Sequence, residues 1–381
     1  MLSLNKRQLS LFLLFLILAG CLDSGKSAQS SPSPTPTETT EITGESPVPS
    51  GLTGMRFVPS FRQVAPLSHL LMVTENELNQ PYFARIDLAS GEWVLAPAGP
   101  RPGGIHDSFA ESTSDASYVI ANLLPATGGN NMLEGWIDFA VYKQGQWSVE
   151  EAPPRWVFGE AKGLTTLDGT PFVLVKRLQG LELWRYAGNQ WTSEAVPGAS
   201  AHPIADFAMA ANSTALFVVG YDAQEHISMW TRQRGGDWGQ DVLQDNVTIL
   251  NGGFFFLSAP YDGPPIASWW YFGALLSNDS RGSQRTYVAA PSAEGWKVST
   301  VGEEGNLTEA VAAMRAGAFL HASEIWRLKD GSWNPCELAP EFSARRWQFA
   351  TDGQQTLFAY LADDLVTIRW NLLSLSSENC A

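Results

Sequence analysis

At 381 residues, with 15 tryptophans, 19 phenylalanines and 34 glycines, the chain suits packed sheet with many turns and disfavours a fold of long helices. Charged residues make up only 17%, and the formal net charge is −15. That sign excludes nucleic acid and an anionic membrane surface as electrostatic partners.

Lys6 and Arg7 precede an apolar run, Leu9 to Leu18, that is too short to span a bilayer comfortably. The run ends in Leu18-Ala19-Gly20-Cys21. These residues resemble the bacterial lipobox, in which the signal is cut before a cysteine that then carries lipid. The resemblance implies a lipoprotein signal peptide at 1–20 and lipidation of Cys21. It also implies an extracytoplasmic place in the bacterial cell envelope, with the membrane as partner through the N-terminal lipid. Leu22 in place of Asp implies, by the same resemblance, sorting to the outer membrane where the organism has one. Two or three acyl chains anchor firmly, at ~0.8 kcal/mol per buried CH₂.

Residues 21–54 read as the lipidated cysteine and a disordered tether. Ser, Thr, Pro and Gly dominate and no aromatic residue occurs, so little apolar surface is on offer for folding. Gly20 to Ser27 matches the phosphate-binding loop pattern Gly-x4-Gly-Lys-Ser, but no strand leads in and no helix leads out. With Cys21 assigned to lipid, Cys336 and Cys380 remain. Outside the cytoplasm an even pair reads as a disulfide worth roughly 3–4 kcal/mol, with free thiols or a metal pair as alternatives.

From Met55 two short units alternate to the C-terminal region. One is a hairpin with glycine near the turn and tryptophan opening the returning strand: Trp93, Trp147, Trp191, Trp238, Trp296 and Trp333. Glycine supplies the positive φ that tight hairpins need. The other begins with a small or aromatic pair and reaches an apolar strand eight or nine residues later. Phe109-Ala110 leads to Tyr118-Val119-Ile120, Phe207-Ala208 to Leu216–Val219, and Phe349-Ala350 to Leu357–Tyr360. Together they give four strands per period of about 45 residues, the pattern of a β-propeller blade. The expected fold is all-β, a single β-propeller over residues 55–381. Seven four-stranded blades fit best, at 60–97, 105–151, 160–197, 203–244, 246–302, 306–339 and 345–377, with six as the alternative. The pairs Trp184/Trp191 and Trp326/Trp333 resemble the aromatic spacing of kelch repeats, although the kelch diglycine does not recur.

No hydrolase elbow, zinc-protease motif or calcium loop occurs, so the motif search assigns no catalytic residue, no metal and no cofactor. His106-Asp107 and His202 with Asp206 lie just before innermost strands, where side chains face the mouth of a propeller's channel. Glu309 and Arg346 join them as groups that an active site there would gather. Trp269-Trp270-Tyr271-Phe272 cannot all face one side of a strand. Trp269, Trp270 and Tyr271 therefore stand as candidate contacts for a sugar or a protein partner. The expected function is non-catalytic binding of an envelope protein or glycan. The alternative is an extracellular polysaccharide-acting enzyme with its site at the channel mouth.

Overall fold

The computed structural model describes residues 43–375 apart from 59, 65, 100–102, 126–135, 153–158, 179, 200–205, 250–251, 272–284, 304–306, 322–323, 337–346 and 374. Among the described residues the elements are strands, and no helix is long and apolar enough to cross a membrane.

Five four-stranded antiparallel sheets stand alone, over residues 52–97, 159–195, 207–244, 253–301 and 310–335. In each, chain order is also sheet order, from the innermost strand outward. The remaining strands form one nine-stranded sheet. Its two antiparallel halves cover 103–151 and 347–373, the latter with Gly44–Pro47 at its edge. Ser60–Gln63 joins the halves, pairing in parallel with Trp347–Thr351 on one side and with Gly103–Ser112 on the other. Successive innermost strands are neighbours around a central channel. The fold is a single all-β propeller.

Two expectations need correction. Seven (or six) separate four-stranded sheets do not form; five stand alone. The cause is the first innermost strand, Leu52–Phe57, whose continuation Ser60–Gln63 leaves its own sheet and wedges between two others. The tether also stops short of residue 54. Gly44–Pro47 pairs with Thr367–Leu373, and Leu52–Phe57 pairs with His69–Asn76. Composition hides this first strand because its stability comes from its partners. Ser46 Oγ donates to Gly91 O (2.7 Å) and accepts from Trp93 Nε1 (2.9 Å), while Val48 N donates to Val366 O (2.7 Å).

The repeated hairpins form as their chemistry predicts. Gln144-Gly145, Gly188-Asn189 and Asp330-Gly331 each hold two consecutive positive φ angles, the geometry of a two-residue turn matched to strand twist. The tryptophans that follow stitch the rim. Trp147 Nε1 donates to Val94 O (3.0 Å) and Trp296 Nε1 to Asp241 Oδ2 (3.2 Å), each on the outer strand of the preceding unit. Trp191 packs edge-on against Phe139 of the unit before it, at 5.1 Å.

Towards the axis the side chains shrink. Phe207–Ala211 and Ala310–Met314 carry alanine at most positions, which lets backbones converge around the channel. A Cβ on Gly163 would lie 2.9 Å from Met209 Cβ on the next innermost strand, so glycine is required there for the strands to approach.

Further along the innermost strands lies a buried charged pair. Arg62 and Glu111, both buried, form an ion pair. The guanidinium also donates to the carbonyls of Ala211 and Thr166, and Glu111 accepts from Thr165 Oγ1 (2.9 Å), Thr166 N (3.0 Å) and Thr166 Oγ1 (2.7 Å). The pair thus ties together four innermost strands.

Candidate functional site at the channel mouth

At its mouth the channel is an open cavity of about 630 Å³. Its walls come from successive innermost strands and include His106, Asp107, Glu160, Lys162, Asp206 and Phe254.

Alternation along a strand would send His106 and Asp107 to opposite faces. A β-bulge prevents this. Between Gly103–Ser112 and Ala116–Pro125 the register shifts from Ile105 to Asp107, leaving His106 as the extra residue. The neighbouring innermost strand, Gly159–Leu167, shifts register between Ala161 and Gly163, so Lys162 is the extra residue there. Buried Asn122, the pairing partner of Asp107, holds the two bulges together. Its side chain donates to Ala161 O (2.9 Å) and accepts from Ala161 N (3.0 Å).

Lys162 lies at the centre, its side chain only 7% exposed. Its Nζ is 2.7 Å from Asp206 Oδ1, 2.8 Å from Glu160 Oε1 and 4.0 Å from Asp107 Oδ2. His106 Nε2 is 3.3 Å from Glu160 Oε1 and 3.7 Å from Asp107 Oδ2. Burial works against charge on Lys162, but Asp206, Glu160 and Asp107 outweigh it and push the ammonium up to about 12. Burial likewise opposes ionisation of Glu160, yet His106 and Lys162 hold its carboxyl at about 2. Burial raises the Asp107 carboxyl, with Lys162 and His106 pulling the other way. The neighbouring Glu160 carboxylate raises His106. Lys176, also on the cavity wall, is lowered by burial. The mouth is therefore charged and pre-ordered on one side. On the other it is aromatic: Phe254 lines the cavity, 37% exposed, and stacks on Trp270 at 4.2 Å.

His106, Asp107 and Asp206 come together here, the first two inside their strand near its start rather than before it. His202, Arg346, Phe272, Cys21 and Cys380 lie outside the described residues. Glu309 stands apart from this cavity, 3.5 Å from His321. Cys336 is buried, its N–H donating to Ile325 O (2.8 Å).

Of the candidate contacts, Trp269 is buried while Trp270 and Tyr271 are half-buried. Alternate residues of Ile266–Tyr271 meet a neighbour on each face. Trp269 is fully buried and donates to Gln244 Oε1 (3.1 Å), and Tyr271 accepts from Gln244 Nε2 (3.1 Å) and stacks on Tyr287 at 5.8 Å. Trp270 donates to Thr308 O (2.9 Å) on the next unit. Glu160, Lys162, Asn122 and Phe254 escape a reading by motif. Glu160 and Lys162 were nonetheless findable, because they precede Gly163-Leu164 in the repeat as His106-Asp107 precede Phe109-Ala110.

No protein family and no curated protein matches the chain. Solved structures resemble it in fold. The SapL1 lectin in complex with α-methyl fucoside is 15% identical over 75% of this chain and 95% of its own, with a TM-score of 0.45. The six-bladed lectin of Aleuria aurantia is 9% identical over 77% of this chain and 96% of its own, at 0.44. YCF48 bound to D1 peptide is 10% identical over 88% of this chain and 97% of its own, at 0.49. Likeness of this order assigns neither a family nor a ligand.

Proposed function

We propose that this protein is a lipid-anchored, extracytoplasmic binding propeller whose channel mouth takes a few sugar residues of an envelope glycan, without catalysing a reaction. The anchor reading is supported by the basic residues, apolar run and Leu-Ala-Gly-Cys at the N-terminus, and Cys336–Cys380 is its proposed disulfide.

The observation that carries the ligand is the shape and lining of the mouth. It is an open cavity of about 630 Å³ whose walls carry carboxylates, ammonium groups and an aromatic ring, a size and lining suited to a few sugar residues. Sugar hydroxyls both donate and accept, which matches a wall of alternating carboxylates and ammonium. A sugar's apolar face matches Phe254.

Binding of the full-length protein to an array of bacterial and host glycans, followed by calorimetry on the best ligand, tests this. Phe254→Ala and Asp206→Asn are each expected to weaken binding at least tenfold, which is about 1.4 kcal/mol. Absence of any glycan binding, with capture of an envelope protein through the same residues, would favour the protein partner instead. The convergence of His106, Asp107, Glu160 and Asp206 in one cavity supports the enzyme as a second reading. That reading requires turnover of a bound polysaccharide, and its loss in Asp107→Asn with binding retained.

A further inference from the structure

We propose that His106, Asp107 and Glu160 form a binding site for one divalent transition-metal ion, with zinc as the best match. The site needs no assumption about the ligand of the cavity.

The geometry is the first argument. One nitrogen and two oxygens, His106 Nε2, Asp107 Oδ2 and Glu160 Oε1, lie within 4.8 Å of one another. Two of their separations are 3.3 and 3.7 Å. Donors bound tetrahedrally to zinc at about 2.0–2.2 Å stand about 3.3–3.6 Å apart. Both separations from His106 are thus already within a few tenths of an ångström of that spacing, and the third, between the two carboxylates, is at most 4.8 Å.

The second argument is how the backbone delivers the donors. The bulge at His106 turns two consecutive residues to the same cavity, and Asn122 locks the adjacent strand that carries Glu160. Side chains re-aimed by a bulge and fixed from behind are the means by which a site is held in place.

Charge is the third. Asp107, Glu160 and Asp206 surround the ammonium of Lys162, and Lys176 on the same wall also feels Asp206 and Glu160, so three carboxylates face two amines. Lys162 does not displace the metal. It is held by Asp206 at 2.7 Å, and although it lies 2.8 Å from Glu160 Oε1, that oxygen accepts no aligned hydrogen bond and its lone pairs stay open to an ion.

The donor set selects the ion. Imidazole with two carboxylates suits zinc and its first-row neighbours, whereas calcium and magnesium take all-oxygen sets. Three protein donors leave further positions open to the cavity, where water or a ligand hydroxyl can bind.

The test uses full-length protein stripped with chelator and titrated calorimetrically with zinc chloride, and separately with calcium and magnesium chloride. One zinc per chain is expected, with far weaker response to the other two ions. His106→Ala and Glu160→Gln should each lower zinc affinity by at least the 10–100-fold that loss of an outer partner costs. His226→Ala, remote from the cluster, should not. Failure of wild-type protein to bind zinc below about 1 mM, or unchanged affinity in folded His106→Ala, overturns the site. Should the variants not fold, pulsed paramagnetic resonance of copper-loaded wild-type protein decides. One coordinated imidazole is expected, and none, or two, overturns the assignment.

Discussion

Arg62 and Glu111 show how much one ion pair can hold when it is buried and fully bonded. Two charges removed from water gain little over an apolar pair of the same volume, but removing one partner leaves the other stranded. Arg62→Met is therefore expected to cost about 3–5 kcal/mol, and the double change Arg62→Met with Glu111→Met distinctly less than the sum. Urea denaturation of the four proteins in the cycle measures this. Additive losses would show that the pair does not act as a unit. His69 makes a second prediction at this scale. It is buried, with Nε2 at 2.8 Å from Ser112 Oγ and 3.1 Å from Ser117 Oγ, and Nδ1 at 3.0 Å from Ser68 Oγ. Burial, helped by the charge of Arg85, lowers it from 6.5 to about 3. Neutral in the fold but protonated in the unfolded chain below pH 6.5, it favours unfolding as pH falls from 6.5 towards 3. The slope approaches 1.4 kcal/mol per pH unit. Stability measured at pH 7, 5 and 4 should drop more steeply in the natural protein than in His69→Gln. Parallel curves would remove His69 from the account.

Among the elements, what was legible in the sequence was whatever depends on neighbours along the chain. A turn such as Asp330-Gly331 declares its positive φ angles, and the tryptophan after it recurs at one place in the hairpin, so the architecture could be read. Strand Gly44–Pro47 could not, because backbone pairing and Ser46 secure it and neither leaves an apolar pattern. Of the site, His106, Asp107 and Asp206 were visible as polar groups at the head of innermost strands. Glu160 and Lys162 were less so, since what makes them functional is contact with residues about 50 positions away. The bulges were invisible for a related reason: a register shift belongs to two strands and to neither sequence alone. Asn122 gives this a test. Its side chain bonds both backbone groups of Ala161, so Asn122→Leu frees the second bulge to slip. Zinc affinity should fall at least tenfold in Asn122→Leu and recover in Asn122→Gln to the extent that the longer amide reaches Ala161. A melting temperature that falls with zinc affinity untouched would reduce Asn122 to a packing residue.

At the scale of the whole molecule, the strand that completes the last unit comes from the N-terminal side of the chain. Gly44–Pro47 pairs with Thr367–Leu373, and its Ser46 bonds both Gly91 and Trp93 of the first sheet, so one short segment touches the two sides of the seam. The segment that the proposed anchor holds is thus continuous with the one that closes the ring. Two truncations separate these duties. A chain starting near Glu41 loses Cys21 and should leave membranes with its melting curve unchanged. A chain starting at Leu52 also loses the seam. The three hydrogen bonds of Ser46 and Val48, at about 1 kcal/mol each, are lost together with the ladder to Thr367–Leu373, so its expected destabilisation is at least about 3 kcal/mol. It should also self-associate, because Thr367–Leu373 is left as an unpaired edge. Cys21→Ala in the full chain completes the set: release from membranes with full stability is expected. Retention of Cys21→Ala at the membrane would mean that something other than lipid on that thiol holds the protein. Equal stability of the two truncated chains would mean that the ring closes without its N-terminal strand.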